Sequence, residues 1–237
     1  MDKQPNELHD IRSFYDSIYY RSAGPYAKPS RHLLRLAARL AIGPDQRVLD
    51  VGCGTGQWLK AASEFGAVPY GIDLSEKAIT VCRSMMPAGT FHAQAAEALP
   101  FDDCQFDLVS CLGALEHFVD ARSALREMMR VAKHDARFLF LVPNADFLTR
   151  RIGLYAGTHQ VDAKEDVLSL NEWAQLFEGC GIEVRDRWRD LHVLSWAWIS
   201  SRGPLSIPLR AAQAAALAIW PLTWQYQVYH LCALRKR

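Results

Sequence analysis

The sequence predicts an α/β fold in which a mostly parallel, seven-stranded sheet carries helices on both faces. Short apolar runs alternate with segments of helical spacing between residues 47 and 143, a pattern typical of such sheets. One of these runs, residues 48–51, leads directly into glycines at positions 52, 54 and 56. The 237 residues, 50% of them hydrophobic, suffice for one well-buried domain with an additional lobe.

The predicted elements follow one another in a regular order. A helix is predicted over residues 31–40, because apolar residues recur there at helical spacing and Gly43-Pro44 follows. The predicted strands are 48–51, 68–72, 90–93, 106–111, 138–142, 182–188 and 225–234. The helices between them are predicted to reach about residue 65, to cover 75–85 and 121–132, and to start at a capping box of Ser169 and Glu172.

The glycine-rich turn after the first strand predicts a ligand site. A backbone without Cβ atoms can turn sharply and lie against a ligand at the carboxyl end of a strand. A dinucleotide fingerprint needs Gly or Ala where this chain has Gln57, and no Lys-Ser or Lys-Thr pair follows. Asp73 ends the second strand, where a carboxylate can accept the hydroxyls of a ribose. These residues favour a nucleoside ligand over a dinucleotide.

At these positions the chain resembles the class I S-adenosylmethionine-dependent methyltransferases, and more narrowly the small-molecule methyltransferases with the signature V-L-D-x-G-C-G-x-G. The resemblance runs from about Arg47 to Val142. It implies a Rossmann-like sheet whose last strand lies antiparallel to its neighbours, and S-adenosyl-L-methionine as the cofactor. The residues implied in cofactor binding are Arg31, Gly52, Cys53, Gly54, Asp73, Leu74, Ala96, Glu97 and Leu112.

The resemblance also implies which part of the cofactor each of these residues faces. It implies that Gly52 and Gly54 face the methionine part, Asp73 the ribose and residues 95–101 the adenine. Leu112 is expected near the adenosine or methionine part.

Two positions bear on how tightly the cofactor is held. Similar enzymes commonly carry an Asp where this chain has Ala95, which predicts binding weaker by about 1 to 3 kcal/mol unless Glu97 or Gln94 substitutes. Arg31 stands where related enzymes bring an Arg onto the cofactor carboxylate. The alternative is that Arg31 is a solvated residue in the first turn of its helix.

The loop after the fourth strand carries the predicted base. Imidazole titrates near neutral pH, so His117 is predicted to take the proton of an oxygen acceptor; the alternative is that His117 only caps a helix.

Quinone O-methyltransferases, a more distant likeness, carry E-x-x-E-H here, whereas this chain has Gly113 in place of the first acidic residue. No metal is therefore expected. The G-T-H at 157–159, also found in those enzymes, makes His159 a second acceptor-site candidate, unless it is an exposed loop histidine.

The chain is predicted to divide into three parts. Residues 1–46 form an N-terminal helical cap, in which Tyr15 and Tyr20 either close over the cofactor or simply pack a helix. Residues 47–143 form the cofactor-binding core. Residues 144–237 supply acceptor specificity and complete the same domain.

These features predict a methyltransferase for a small molecule, most readily an O-methyltransferase of natural-product, quinone or surface-glycan metabolism. A catalytically silent cofactor-binding partner or sensor is the alternative, and a nicotinamide oxidoreductase is a distant third.

A net charge of +1 gives no general attraction to nucleic acid. A polar N-terminus and six scattered cysteines favour the cytoplasm. Five of the seven tryptophans lie from position 188 onward; membrane contact there is not favoured but stays open, as does the oligomeric state.

Overall fold

The computed structural model describes residues 8, 11–22, 24–26, 28–153, 167–201 and 203–235. Its sheet has seven strands in the order β3-β2-β1-β4-β5-β7-β6. The strands are β1 (Arg47–Val51), β2 (Val68–Asp73), β3 (Thr90–Ala93), β4 (Phe106–Leu112), β5 (Ala132–Pro143), β6 (Ile182–Arg189) and β7 (Gln227–Leu234). Strands β1 to β5 pair in parallel, whereas β7 pairs antiparallel with both β5 and β6. The predicted sheet with its antiparallel last strand is therefore confirmed.

The α-helices of the described residues from 28 onward are α1 (Arg31–Arg39), α2 (Gln57–Ser63), α3 (Glu76–Met85), α4 (Ala121–Val131), α5 (Leu148–Arg151), α6 (Leu170–Gly179), α7 (Trp196–Ser200) and α8 (Ile207–Ile219). Helix α3 begins at the N-cap Ser75, and α6 begins with the capping box of Ser169 and Glu172. Each of these side chains accepts a hydrogen bond from a free backbone N–H at the helix start.

Two apolar cores lie on opposite faces of the sheet. Leu49 of β1 packs in one core with residues of α4 and α6. Its neighbour Val48 packs in the other core with residues of α1, α2 and α3. Successive side chains of a strand point to opposite faces, so a continuous apolar strand is buried on both sides. Helices on both faces are thus confirmed.

Two strand boundaries differ from the sequence prediction. Strand β5 begins at Ala132 and not at 138, because α4 ends at Val131 and its C-cap Ala132 is already extended. Strand β7 begins at Gln227 and not at 225, because residues Leu222–Trp224 form a 3-10 turn after Pro221. Strand β7 lies between β5 and β6.

Candidate functional site

A cleft opens at the carboxyl ends of β1, β2 and β4. It consists of a cavity of about 510 Å³ and a smaller one of about 30 Å³, which share Gly52, Asp73 and His117 in their walls. Eight of the nine residues implied in cofactor binding line this cleft. Gly52, Cys53, Gly54, Asp73, Leu74 and Leu112 line the larger cavity, and Ala96 and Glu97 line the smaller one.

The glycine loop requires glycine for both conformation and space. Gly52 has φ +77° and Gly54 has φ +53°, a region that other residues rarely adopt. A Cβ on Gly52 would lie 2.4 Å from the Cβ of Ala114, and one on Gly54 would lie 2.8 Å from the Tyr20 hydroxyl. A side chain at either position would therefore collide with Ala114 or Tyr20.

Asp73 fastens this loop to the end of β2. One carboxylate oxygen accepts the Gly54 N–H at 2.8 Å and the other accepts the Ser75 N–H at 2.9 Å. Burial raises the pKa of Asp73, and the two backbone hydrogen bonds oppose that rise. A carboxylate has about four acceptor positions, so capacity remains for the hydroxyls of a ribose.

Asp50 is a functional candidate that sequence reasoning missed. It lies in the wall of the larger cavity with 2% exposure, and the Ser110 hydroxyl lies 2.7 Å from its carboxylate. Burial raises the pKa of Asp50 to about 7, although the Ser110 hydrogen bond lowers it. The signal was present in the sequence, because an ionisable residue inside a buried apolar strand is costly.

The N-terminal segment, residues 11–20, contributes to the wall of the cleft. Tyr15 and Tyr20 line the larger cavity. The Arg12 guanidinium donates to the Leu74 carbonyl at 2.9 Å, and the Ser75 hydroxyl donates to Asp16 at 2.5 Å. These contacts hold the segment against β2 and α3. The lid role of the two tyrosines remains a prediction.

The predicted substitutes for the missing adenine-binding Asp both lie at the smaller cavity. Gln94 and Glu97 line it together with Ala96. One Glu97 carboxylate oxygen accepts the Asp120 N–H at 3.1 Å, so this carboxylate is already oriented by the start of α4.

His117 lies in the 3-10 turn Leu115–His117 after β4. Its half-buried side chain lines both cavities of the cleft. The second acceptor-site candidate, His159, lies outside the described residues. Among the residues that the structure describes, no group of three or more His, Cys, Asp or Glu is arranged to hold a metal ion.

Arg31 lies elsewhere than the other implied cofactor residues. It is exposed and lines a second cavity of about 800 Å³ between α1 and the end of β6. Leu33, two residues further along α1, lines the cofactor cleft. The first turns of α1 therefore separate the two cavities, and contact between Arg31 and the cofactor remains a prediction.

A buried cluster behind the second cavity was also missed by sequence reasoning. Asp190, 9% exposed, lies 3.0 Å from His32 Nε2 and 2.5 Å from His192 Nδ1. His32 Nε2 also lies 3.1 Å from the Tyr229 hydroxyl. No local sequence motif predicts this cluster, because its members come from α1, β7 and the segment after β6.

The C-terminal lobe exposes several large apolar side chains. Trp196 is 68% exposed, Leu205 99%, Leu209 75% and Ile219 81%. No helix among the described residues has both the length and the apolar character needed to cross a bilayer.

Known proteins match this chain over the same region. A family described as a methyltransferase domain matches residues 49–140. The uncharacterized methyltransferase YcgJ of Bacillus subtilis is 31% identical over 173 residues, which cover 67% of this chain and 66% of that protein. Demethylmenaquinone methyltransferase of Clavibacter sepedonicus is 28% identical over 228 residues, covering 92% and 91%. A ubiquinone biosynthesis O-methyltransferase of Pseudomonas entomophila is 32% identical over 156 residues, covering 60% and 66%.

The fold has solved counterparts as well. A putative methyltransferase in complex with a Haloferax volcanii methyltransferase activator superposes with a TM-score of 0.66 at 18% identity, covering 99% of this chain and 95% of that one. Together, the sheet, the glycine loop and these relatives define the class of protein. The chain belongs to the class I S-adenosylmethionine-dependent methyltransferases.

The cofactor of this family is S-adenosylmethionine, and the residues present fit it. Gly52 and Gly54 line the larger cavity with backbone alone, so the loop can lie close to a ligand. Asp73 keeps free acceptor positions at the end of β2, and the cleft volume of about 510 Å³ lies within the range of small-molecule sites.

Proposed function

We propose that this enzyme transfers a methyl group from S-adenosylmethionine to an oxygen atom of a small-molecule acceptor, with His117 as the base. The observation that carries the proposal is that His117 lies in both walls of the cleft. Two of the relatives bear the names of quinone methyltransferases, and one of them is an O-methyltransferase. These names support the same acceptor class for this chain.

The chain itself has a limited chemical task. The bound cofactor supplies a methyl group already activated on a sulfonium, so the protein needs alignment more than covalent help. The glycine loop and Asp73 fix one reactant, and the N-terminal segment limits the access of water. His117 takes the acceptor proton at an imidazole nitrogen as the oxygen attacks.

A catalytically silent cofactor-binding protein is the second candidate. Ala95, which stands where similar enzymes carry an Asp, and Gly113, which replaces an acidic residue, both favour it. The intact glycine loop and the fully oriented Asp73 carboxylate do not distinguish binding from catalysis. Only a measured methyl transfer separates the two functions.

The test has two stages. Incubation of the protein with methyl-labelled S-adenosylmethionine and fractionated cell extract identifies the acceptor, and alkaline and acid hydrolysis of the product distinguish ester, ether and amine linkages. Single-turnover methyl transfer is then measured for wild type, His117→Ala, His159→Ala and His134→Ala. His134 is an exposed histidine on β5, so its variant is the matched control.

The proposal expects His117→Ala to lower the single-turnover rate by about 10²- to 10⁴-fold with little change in cofactor affinity. A normal rate in His117→Ala together with a collapsed rate in His159→Ala would move the base to the loop after β5. No transfer to any fraction by a protein that binds the cofactor would favour the silent partner.

A further inference from the structure

The second cavity, which we call the α1–β6 cavity, lies beside the cofactor cleft but is not part of it. It has a volume of about 800 Å³ and is formed by α1, the end of β6 and the segment 191–196. Leu33 faces the cofactor cleft while Leu36, on the same helix, faces this cavity. A ligand seated here would therefore lie beside α1 and outside the cofactor cleft.

Four arginines line the α1–β6 cavity. Arg31, Arg35 and Arg39 occur at four-residue spacing on α1, which places them along one stripe of the helix, and Arg189 joins them from the end of β6. No Asp or Glu is among the described residues that line the cavity. The N-terminus of α1 at Ser30 adds a positive dipole end on the same side.

Two of these arginines are available to a ligand. The Arg39 guanidinium is engaged by Asp186 at 3.2 Å and lies 4.1 Å from the centre of the Trp188 ring. By contrast, neither Arg31 nor Arg35 takes part in an ion pair with any residue that the structure describes. Both are exposed, so their guanidinium groups can form paired hydrogen bonds with a carboxylate or phosphate.

The buried carboxylate of Asp190, behind the cavity, is hydrogen-bonded to two histidines and not to the arginines. Burial raises the pKa of Asp190, but hydrogen bonds from His192 and His32 outweigh it and hold the pKa well below its usual range. The Asp190 hydrogen bond in turn raises the pKa of His192. Asp190 is therefore engaged by His32 and His192, and among the described residues it forms no ion pair with Arg31 or Arg35.

Apolar side chains form another part of the cavity wall. Leu36, Leu191, Leu194 and Trp196 line it, and the Trp196 side chain is 68% exposed at the rim. Trp188 forms a fixed wall, because its ring is stacked on Tyr229 at 5.4 Å while Arg39 lies over it. An apolar body can contact the leucines and Trp196 while its acidic group reaches Arg31 and Arg35.

We propose that the α1–β6 cavity binds an organic anion, in which a carboxylate, sulfonate or phosphate pairs with Arg31 and Arg35 and an apolar body packs against Leu194 and Trp196. In this proposal Arg31 holds the anion and not the cofactor.

The test uses two fluorescent probes of nearly equal shape, the anion 8-anilinonaphthalene-1-sulfonate and the neutral N-phenyl-1-naphthylamine. Their dissociation constants are measured for wild type and for the double variants Arg31→Gln/Arg35→Gln and Arg122→Gln/Arg126→Gln. Arg122 and Arg126 are exposed on α4 at the same spacing, so they are a matched control for the loss of two charges. S-adenosylhomocysteine affinity is measured by calorimetry for all three proteins.

We expect Arg31→Gln/Arg35→Gln to weaken binding of the anionic probe at least tenfold while the neutral probe and S-adenosylhomocysteine change less than twofold. The control variant should leave all three affinities unchanged. An anionic probe that binds wild type and Arg31→Gln/Arg35→Gln equally would overturn the site. A lower S-adenosylhomocysteine affinity in that variant would return Arg31 to the cofactor. Because no step requires turnover, failure of the proposed methyl transfer would leave this result intact.

Discussion

Asp73→Ala tests the link between the glycine loop and the cofactor. The substitution removes the acceptor of two backbone hydrogen bonds, from Gly54 and Ser75, and the remaining acceptor positions that we expect a ribose to use. Hydrogen bonds to a charged group contribute about 1.5 to 3 kcal/mol each. Burial, which raises the pKa of Asp73, makes the charged form costly and offsets part of this contribution.

The net loss in cofactor binding is therefore about 2 to 4 kcal/mol, which corresponds to a roughly 30- to 700-fold increase in Kd at about 1.4 kcal/mol per tenfold. Isothermal titration with S-adenosylhomocysteine measures it directly. Urea unfolding of the same variant should also show a loss of about 1 to 3 kcal/mol, because two N–H groups lose their partner.

Asp107→Ala is the matched control. Asp107 accepts the Arg47 N–H at 2.8 Å and pairs with Lys133 at 2.6 Å, at the end of the sheet away from the cleft. It should lower stability without changing the Kd of the cofactor. A Kd within twofold of wild type in a folded Asp73→Ala would refute the reasoning and remove Asp73 from the cofactor site.

Three further predictions concern the same enzyme. Gly52→Ala should lower the free energy of unfolding by about 1 to 3 kcal/mol, since the new Cβ would lie 2.4 Å from Ala114 and φ is +77°. The control Gly43→Ala, whose Cβ would have nothing within 4 Å, should unfold like wild type. Equal urea midpoints for the two variants would contradict this prediction. Turnover should survive EDTA because Gly113 replaces an acidic ligand; a loss that magnesium restores would show a metal site. Asp190→Asn should destabilise the fold by about 1 to 3 kcal/mol at pH 5.5. The pKa of His192 is raised in the folded protein, so its contribution to the free energy of unfolding is complete below about pH 6.5 and disappears as pH rises through the folded pKa. The pKa of Asp190 is lowered, so its contribution to the free energy of unfolding is present above about pH 3.9 and disappears only as pH falls through the folded pKa. Urea unfolding from pH 4 to 9 should therefore show the deficit shrinking at high pH, and a constant deficit would be inconsistent with the ion pairs.

The sheet and most of the cofactor cleft could be predicted from sequence because their signals are local. Residues 48–56 combine a buried strand and a glycine turn within nine positions. The residues that follow the second and fourth strands lie at the carboxyl edge of any parallel sheet. The predicted starts of the fifth and last strands, 138 and 225, were wrong; the strands begin at Ala132 and Gln227. Helix ends and turns depend on contacts that neighbouring residues do not encode.

The sequence alone thus determined the cofactor, the class of enzyme and the residues on the glycine loop. Tertiary structure decided the surroundings of Arg31 and the partners of Asp190. His32 and Tyr229 are 197 positions apart and meet only because β7 inserts between β5 and β6. Strand order is set by the packing of the whole apolar core. A contact that depends on strand order therefore leaves no pattern in the residues around His32 or in those around Tyr229.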